Sequence, residues 1–213
     1  MGLFQERPSV GDNAPLYTTG MNKTILIVGL GNVGKEFDST RHNIGFAVLD
    51  YFAEKQDFDP WLIKKDQYCA MTSKTIGSTR VILFKPTTLM NNSGQAMQAI
   101  QHYYKIANSS TLVVYDDIDI DYGQIRTRIG GASAGHNGVK SLIQHCGEDF
   151  ARARIGIGPK KPEQIDSADY VLSNFNANEQ DNMPLLLKES SAILSEYAHG
   201  SGALLEETRS FIF

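Results

Sequence analysis

Cysteine, tryptophan and long apolar runs are all scarce in this chain, and each scarcity narrows what it can be. Its 213 residues include 2 Cys and 1 Trp. Cys69 and Cys146 stand alone, with no C-x-x-C or C-x-x-H spacing beside either. That argues against a zinc site or a disulfide-built fold and reads as two buried thiols in a reducing compartment. No uninterrupted apolar stretch is long enough to span a bilayer, so no membrane role is expected. The opening residues, MGLFQERPSVGDNAPLYTTG, lack the basic start and apolar stretch of a secretory signal and are short of the arginines of a transit peptide. Glu6 stands where a myristoylation motif wants a hydroxyl. With no helical or strand period, residues 1–20 read as a flexible tail or a remnant of cloning, with Met21 available as a natural start. The expected catalytic domain is 21–213, and the expected setting is the cytoplasm.

Positive charge is also in short supply, with 20 Lys and Arg against 24 Asp and Glu for a net −4. The total argues against a nucleic-acid partner, but the distribution is uneven. Between Arg126 and Lys161, seven basic residues accompany two acids, so this segment is +5 and the remainder −9. A local basic surface on an acidic body can steer a polyanion. Solvated charges on unrelated faces would give the same count.

What is present is a regular alternation of strand and helix patterns. Thr24–Val28, Tyr68–Ile76, Arg80–Phe84, Thr111–Tyr115, Gln124–Ile129 and Arg152–Ile157 read as strands. Helices are expected at Ile44–Ala53, at Ser93–Tyr104 with Ser93 as N-cap, at Asn137–His145 closed by Gly147, at Glu179–Ala198 and at Ala203–Ser210. This alternation predicts one α/β domain with a twisted mixed sheet flanked by helices.

The loop after the first strand, Gly29-Leu30-Gly31-Asn32-Val33-Gly34-Lys35, satisfies two nucleotide-binding patterns at once. A P-loop would need a hydroxyl after Lys35, where Glu36 stands and would repel phosphate. A dinucleotide fingerprint would need a helix to begin within the glycines, but the sequence stays polar and turn-prone up to Asn43. The glycines are therefore expected to shape a turn that places Asn32 at the carboxyl end of a strand, where open α/β sheets build their sites. His42 follows just before a helix N-terminus, a position that favours neutral imidazole. A surface histidine would look the same in isolation.

Three further segments put polar residues at element ends: Lys85-Pro86-Thr87-Thr88-Leu89-Met90-Asn91-Asn92-Ser93-Gly94, Tyr115-Asp116-Asp117-Ile118-Asp119-Ile120-Asp121, and the small-residue loop Gly130–Gly138 containing His136 and Asn137. Caps, a solvated turn and a simple reversal would explain each alone, but their convergence predicts one pocket. Asp117, Asp119 and Asp121 alternate and could hold a divalent ion, while Asp116 points to the opposite face. Asp116 suits a carboxylate that fixes the tautomer of a histidine. No G-x-S-x-G elbow exists, which disfavours a serine hydrolase.

The segments GLGNVGKEFDSTRHNIGF, KPTTLMNNSGQAM, VVYDDIDIDYGQIRTRIGGASAGHNGVKSL and FARARIGIG, with DYVLSNF near Val171, closely resemble bacterial-type peptidyl-tRNA hydrolases in order and spacing. The likeness runs from about Lys23 to the C-terminus. It implies an enzyme that cleaves the ester between a peptide and the 3′-terminal ribose of tRNA, without metal or cofactor, as a monomer. It further implies His42 as general base, Asp116 as its orienting partner, and Asn32 beside them holding substrate or water. Asn91 and Asn137 would bind the peptide main chain and the 3′ end, with Met90 as an apolar wall and Phe37 near the substrate. Arg126, Arg128 and Arg154 would grip tRNA phosphates, and the loop through His136 would gate the cleft. Val33 replaces a usual Pro, which loosens the first turn, and Phe37 replaces a usual Tyr, which removes a hydroxyl. The alternative is a catalytically silent RNA-binding or splicing cofactor on the same scaffold.

Overall fold

The computed structural model describes residues 23–211; the expected tail at 1–20 lies outside them. One eight-stranded sheet organises the chain, in the order β2-β3-β4-β1-β5-β7-β6-β8. Its strands are β1 (Lys23–Gly29), β2 (Leu62–Lys64), β3 (Cys69–Ile76), β4 (Thr79–Pro86), β5 (Thr111–Asp121), β6 (Gln124–Ile129), β7 (Ala151–Gly158) and β8 (Thr208–Ser210). The inner four, β4, β1, β5 and β7, run parallel. Antiparallel partners extend both sides: β3 and β2 beyond β4, β6 and β8 beyond β7.

The inner strands are apolar at both parities, and that dictates helices on both faces. Ile25, Ile27, Leu83 and Val114 point to one side, where α1 (Ile44–Lys55) and α5 (Ala177–His199) cover them with Leu49, Phe52, Leu186 and Leu194. Leu26, Val28, Phe84 and Val113 point to the other, under α2 (Ser93–Tyr104) and α3 (Asn137–Cys146) through Met97, Ile100, Val139 and Leu142. Each such fully buried side chain contributes about 1.5–3 kcal/mol. Together they make the sheet the rigid platform for everything at its carboxyl edge.

Four expectations need correction. Residues 203–210 are not helical: Thr127 Oγ1 donates to the Leu205 carbonyl at 2.6 Å, Glu206 accepts from the Ile129 N–H at 2.9 Å, and the chain joins β6 as β8. That pairing overrides the local helix propensity of Ala-Leu-Leu-Glu-Glu. Ser93 is not the cap of α2; Asn92 is, without a side-chain bond, and the Ser93 hydroxyl donates instead to the Met90 carbonyl at 2.9 Å. The strand starting at Thr111 runs on through the acids to Asp121, with a register shift after Asp117. Cys69 is buried, whereas Cys146 is only half-buried. A short helix, α4 (Ser167–Leu172), and the edge strand β2 had no counterpart among the sequence patterns.

Candidate active site

Bare backbone contact puts the site at the carboxyl end of β1, beside the middle of β5. A Cβ on Gly45 would lie 2.4 Å from the Val114 carbonyl oxygen and 2.5 Å from that of Leu30. A Cβ on Gly29 would lie 2.5 Å from the Gly45 oxygen. Only glycine lets α1 begin this close to the two strands. Gly29 and Gly31 of GLGNVGK thus serve strand–helix packing against Gly45 and Phe46, and a 3-10 turn at Lys35–Phe37 stands where a phosphate-binding helix would start. A second 3-10 turn, Arg41–Asn43, leads directly into α1. Asn43 fastens it to the first loop by accepting from the Asn32 N–H at 2.8 Å and donating its amide to the Asn32 carbonyl at 2.9 Å.

This turn carries His42 to Asp116, in the middle of β5 just past the level where β1 ends. Its Nδ1 lies 2.9 Å from each carboxylate oxygen of Asp116, which is 2% exposed. A second imidazole meets the same carboxylate, with His136 Nε2 3.0 Å from Asp116 Oδ1. The Val139 N–H donates to His136 Nδ1 at 3.2 Å, so the proton of neutral His136 sits on Nε2 and points at Asp116. Burial alone would raise the Asp116 carboxyl, but the two imidazoles, His136 foremost, more than offset it and hold the group well below the usual carboxylate range. An ionised Asp116 requires a proton on His42 Nδ1, which leaves the Nε2 lone pair for the cleft. Donor atoms of His42, Asp116 and His136 lie within 4.8 Å of one another, a set of the right identity for a transition metal. Here they are spent on each other as hydrogen bonds at 2.9–3.0 Å.

The cleft above them has a volume of about 540 Å³. Asn32 lines it with its amide nitrogen free among the described residues, because its Oδ1 accepts from the Met90 N–H at 3.0 Å. Met90 is a buried part of the wall, and the exposed Asn91 and Asn137 line the cleft from two elements. Those elements approach because Gly94 lies against Ser141, whose hydroxyl accepts from the Gly94 N–H at 3.0 Å, and Gly138 lies against the Met90 sulfur. Sequence patterns missed the opposite wall, formed by Ser167, Ala168, Val171 and Leu172 of α4. Phe37 is half-buried on its turn and is not among the cleft-lining residues.

The arginines divide into free and committed groups. Arg126 and Arg128 are exposed on β6. Arg154 stands beside Arg126 in register, but its Nε donates to Asp117 at 2.7 Å and its side chain is 17% exposed. Its terminal nitrogens have no partner among the described residues. Asp117 is thereby taken up by Arg154 rather than by an ion. Arg152, counted in the basic segment, is buried outright. Arg41, beside His42, is buried too: it pairs with Glu179 at 2.6 Å and lies over the Tyr170 and Phe175 rings. Its place inside TRHN was the only sequence signal for this role.

A doubly covered mixed sheet with an imidazole oriented by a buried carboxylate at its carboxyl edge defines an α/β enzyme suited to general-base hydrolysis. Within that class the chain belongs to the peptidyl-tRNA hydrolase family, whose model matches residues 26–210. It is 41% identical over 184 residues to the peptidyl-tRNA hydrolase of Staphylococcus haemolyticus, covering 86% of this chain and 92% of that one. It is 42% identical over 184 residues to that of Shouchella clausii, covering 85% and 91%. The crystal structure of peptidyl-tRNA hydrolase from Acinetobacter baumannii superposes with a TM-score of 0.74 at 32% identity, covering 86% of this chain and 91% of that one.

Proposed function

We propose that this protein hydrolyses the ester between a peptide and the 3′-terminal ribose of tRNA, returning the tRNA for reuse. The observation that carries the mechanism is the Asp116 carboxylate 2.9 Å from His42 Nδ1 through both oxygens. His42 Nε2 takes a proton from water, and the water oxygen bonds to the ester carbonyl carbon. Asn32 holds the water or the substrate, where its amide can steady the oxyanion, and Asn91 and Asn137 bind the peptide main chain and the 3′ end. Collapse breaks the bond to the ribose oxygen, which leaves with the proton held by His42, giving a peptide acid and a free 3′ hydroxyl. Asp116 stabilises the imidazolium between the two transfers. Met90 offers the peptide an apolar wall.

Arg126 and Arg128, with the free end of Arg154, contact tRNA phosphates in this reading. The three strands β6, β7 and β5 align Arg126, Arg154 and Tyr115 in register. That places Arg126 about 10 Å from the strand that bears Asp116, at ~4.8 Å per strand. Recognition is then by backbone and charge rather than by base sequence. The protein works as a cytoplasmic monomer without metal or cofactor. Two free cysteines support a reducing setting, and no helix among the described residues is long and apolar enough to cross a membrane.

The test is release of labelled peptide from peptidyl-tRNA with EDTA present. Wild type should cleave, and His42→Ala should lose about 10²–10⁴-fold in rate while still binding tRNA. Near-normal turnover by the variant would sink the mechanism. A folded wild type that binds tRNA without cleaving it would favour the RNA-binding alternative.

A further inference from the structure

Arg152 is the largest fully buried side chain among the described residues, 1% exposed, and no described carboxylate pairs with it. Its guanidinium donates chiefly to main-chain oxygens, with the Tyr115 hydroxyl as a side-chain partner. Nη1 donates to the Ala132 carbonyl at 2.7 Å, while Nη2 donates to the Gly131 carbonyl and, at 3.5 Å, to that of Glu148. The plane lies 4.6 Å over the Phe150 ring, and Nε has no hydrogen-bond partner. Burying a charge without a counter-ion is costly, and an apolar side chain of similar volume is commonly the more stable choice at such a position.

What Arg152 grips is the first half of the loop between β6 and α3. This loop has little regular structure of its own. Gly130, Gly131, Ala134 and Gly135 all have positive φ, and Ala134 at +46° does so despite its Cβ. Its far end delivers Ala134 and Gly135 to the cleft, then His136 to Asp116. The Tyr115 ring, on the strand beside Arg152, meets the His136 ring edge-on at 5.0 Å between centroids. Arg152 and Tyr115 therefore bracket the loop from beneath.

We propose that Arg152 is a positioning residue for the hydrolysis. It holds the Gly131 and Ala132 carbonyls so that the loop presents the His136 Nε2–H to Asp116, and through Asp116 it fixes the orientation of His42. The planar fork matters, because its fixed donors hold two carbonyls while its face lies on a ring, a geometry a compact ammonium does not reproduce. The proposal rests on reading His42 and Asp116 as the hydrolytic pair.

A double-mutant cycle tests it. Arg152→Met and His136→Asn, singly and together, are assayed for kcat and KM on peptidyl-tRNA, with activity expressed per folded molecule. Arg152→Met should lower kcat about 10–100-fold, as small misplacements of reacting groups do. In the His136→Asn background the same change should cost under about twofold, because both losses pass through one contact. Losses that multiply, or a wild-type kcat in Arg152→Met, would overturn the proposal. Should Arg152→Met not fold, Arg152→Lys serves with a second readout, the NMR signal of the His136 Nε2 proton. A signal broadened by exchange with water supports positioning, and one as sharp as in wild type refutes it. This signal is independent of turnover, so a wild type that fails to cleave peptidyl-tRNA would count against the hydrolytic reading while the loop contact is still judged.

Discussion

At the floor of the cleft, Asp116 and Asp117 each have a cationic or imidazole partner within 3.0 Å and almost no solvent. Two strands away, Arg126 and Arg128 stand exposed, with only a 3.5 Å hydrogen bond from Arg126 to Gln124 between them among the described residues. The same chemistry of charge is used in two regimes. Buried groups act over one hydrogen bond in a low dielectric that salt does not reach, whereas exposed ones act over a Debye length and are screened. Arg154 sits on the boundary, one nitrogen committed to Asp117 and the others open. The floor should therefore govern kcat and the rim should govern KM and its dependence on salt.

The largest expected effect that would break this division is at the floor. Asp116→Asn keeps the shape but presents an amide to His42, so the ring loses both its preferred tautomer and the charge that stabilises its imidazolium. Turnover should fall on the order of 10²-fold or more, with KM changing little, as steady-state kinetics would report. A comparable rise in KM would mean that floor and rim are not separable. Next comes the rim. The pair Arg126→Ala and Arg128→Ala should leave kcat alone and raise KM for full-length peptidyl-tRNA roughly 10-fold at low salt, and the logarithmic salt slope should become shallower by about 1 per arginine removed. A short peptidyl-nucleotide should not notice either change; sensitivity there would place the arginines at the ester rather than on the tRNA body.

The smallest effect is on stability in acid. The Asp116 carboxyl moves from 3.8 to well below that value on folding. Its contribution is therefore complete above about pH 4 and declines as pH falls further. The stability gap between wild type and Asp116→Asn should be widest near neutrality and narrow between pH 4 and 2 in denaturant titrations. A gap independent of pH would mean that the carboxylate is not ionised in the folded protein.

Much of the fold could be read from the sequence because its signals were local. The Thr24–Val28 run, the Arg80–Phe84 strand and the Ile44 helix start are each decided by a few neighbouring residues. Ala203–Ser210 was misjudged because β6 lies some 80 residues earlier, and no window of sequence weighs that pairing against helix propensity. The six residues of α4 are too few to display a period, so the wall carrying Val171 and Leu172 went unseen as structure. At the site, His42, Asp116 and His136 could be named because small polar loops after strands point to one edge of a sheet. Arg152 and Arg154 could not be sorted by pattern, since both alternate with apolar residues in FARARIGIG.

Arg41 and Glu179 lie 138 residues apart in the chain yet touch at 2.6 Å, and Glu179 also completes the cap of α5 by accepting from the Asn176 N–H at 2.7 Å. The turn that holds the base is thus locked by a residue in the last fifth of the polypeptide. A ribosome making this protein has to release that final stretch before the turn is secured. In the order of synthesis the Arg41–Glu179 pair therefore closes late, long after the turn itself has been made.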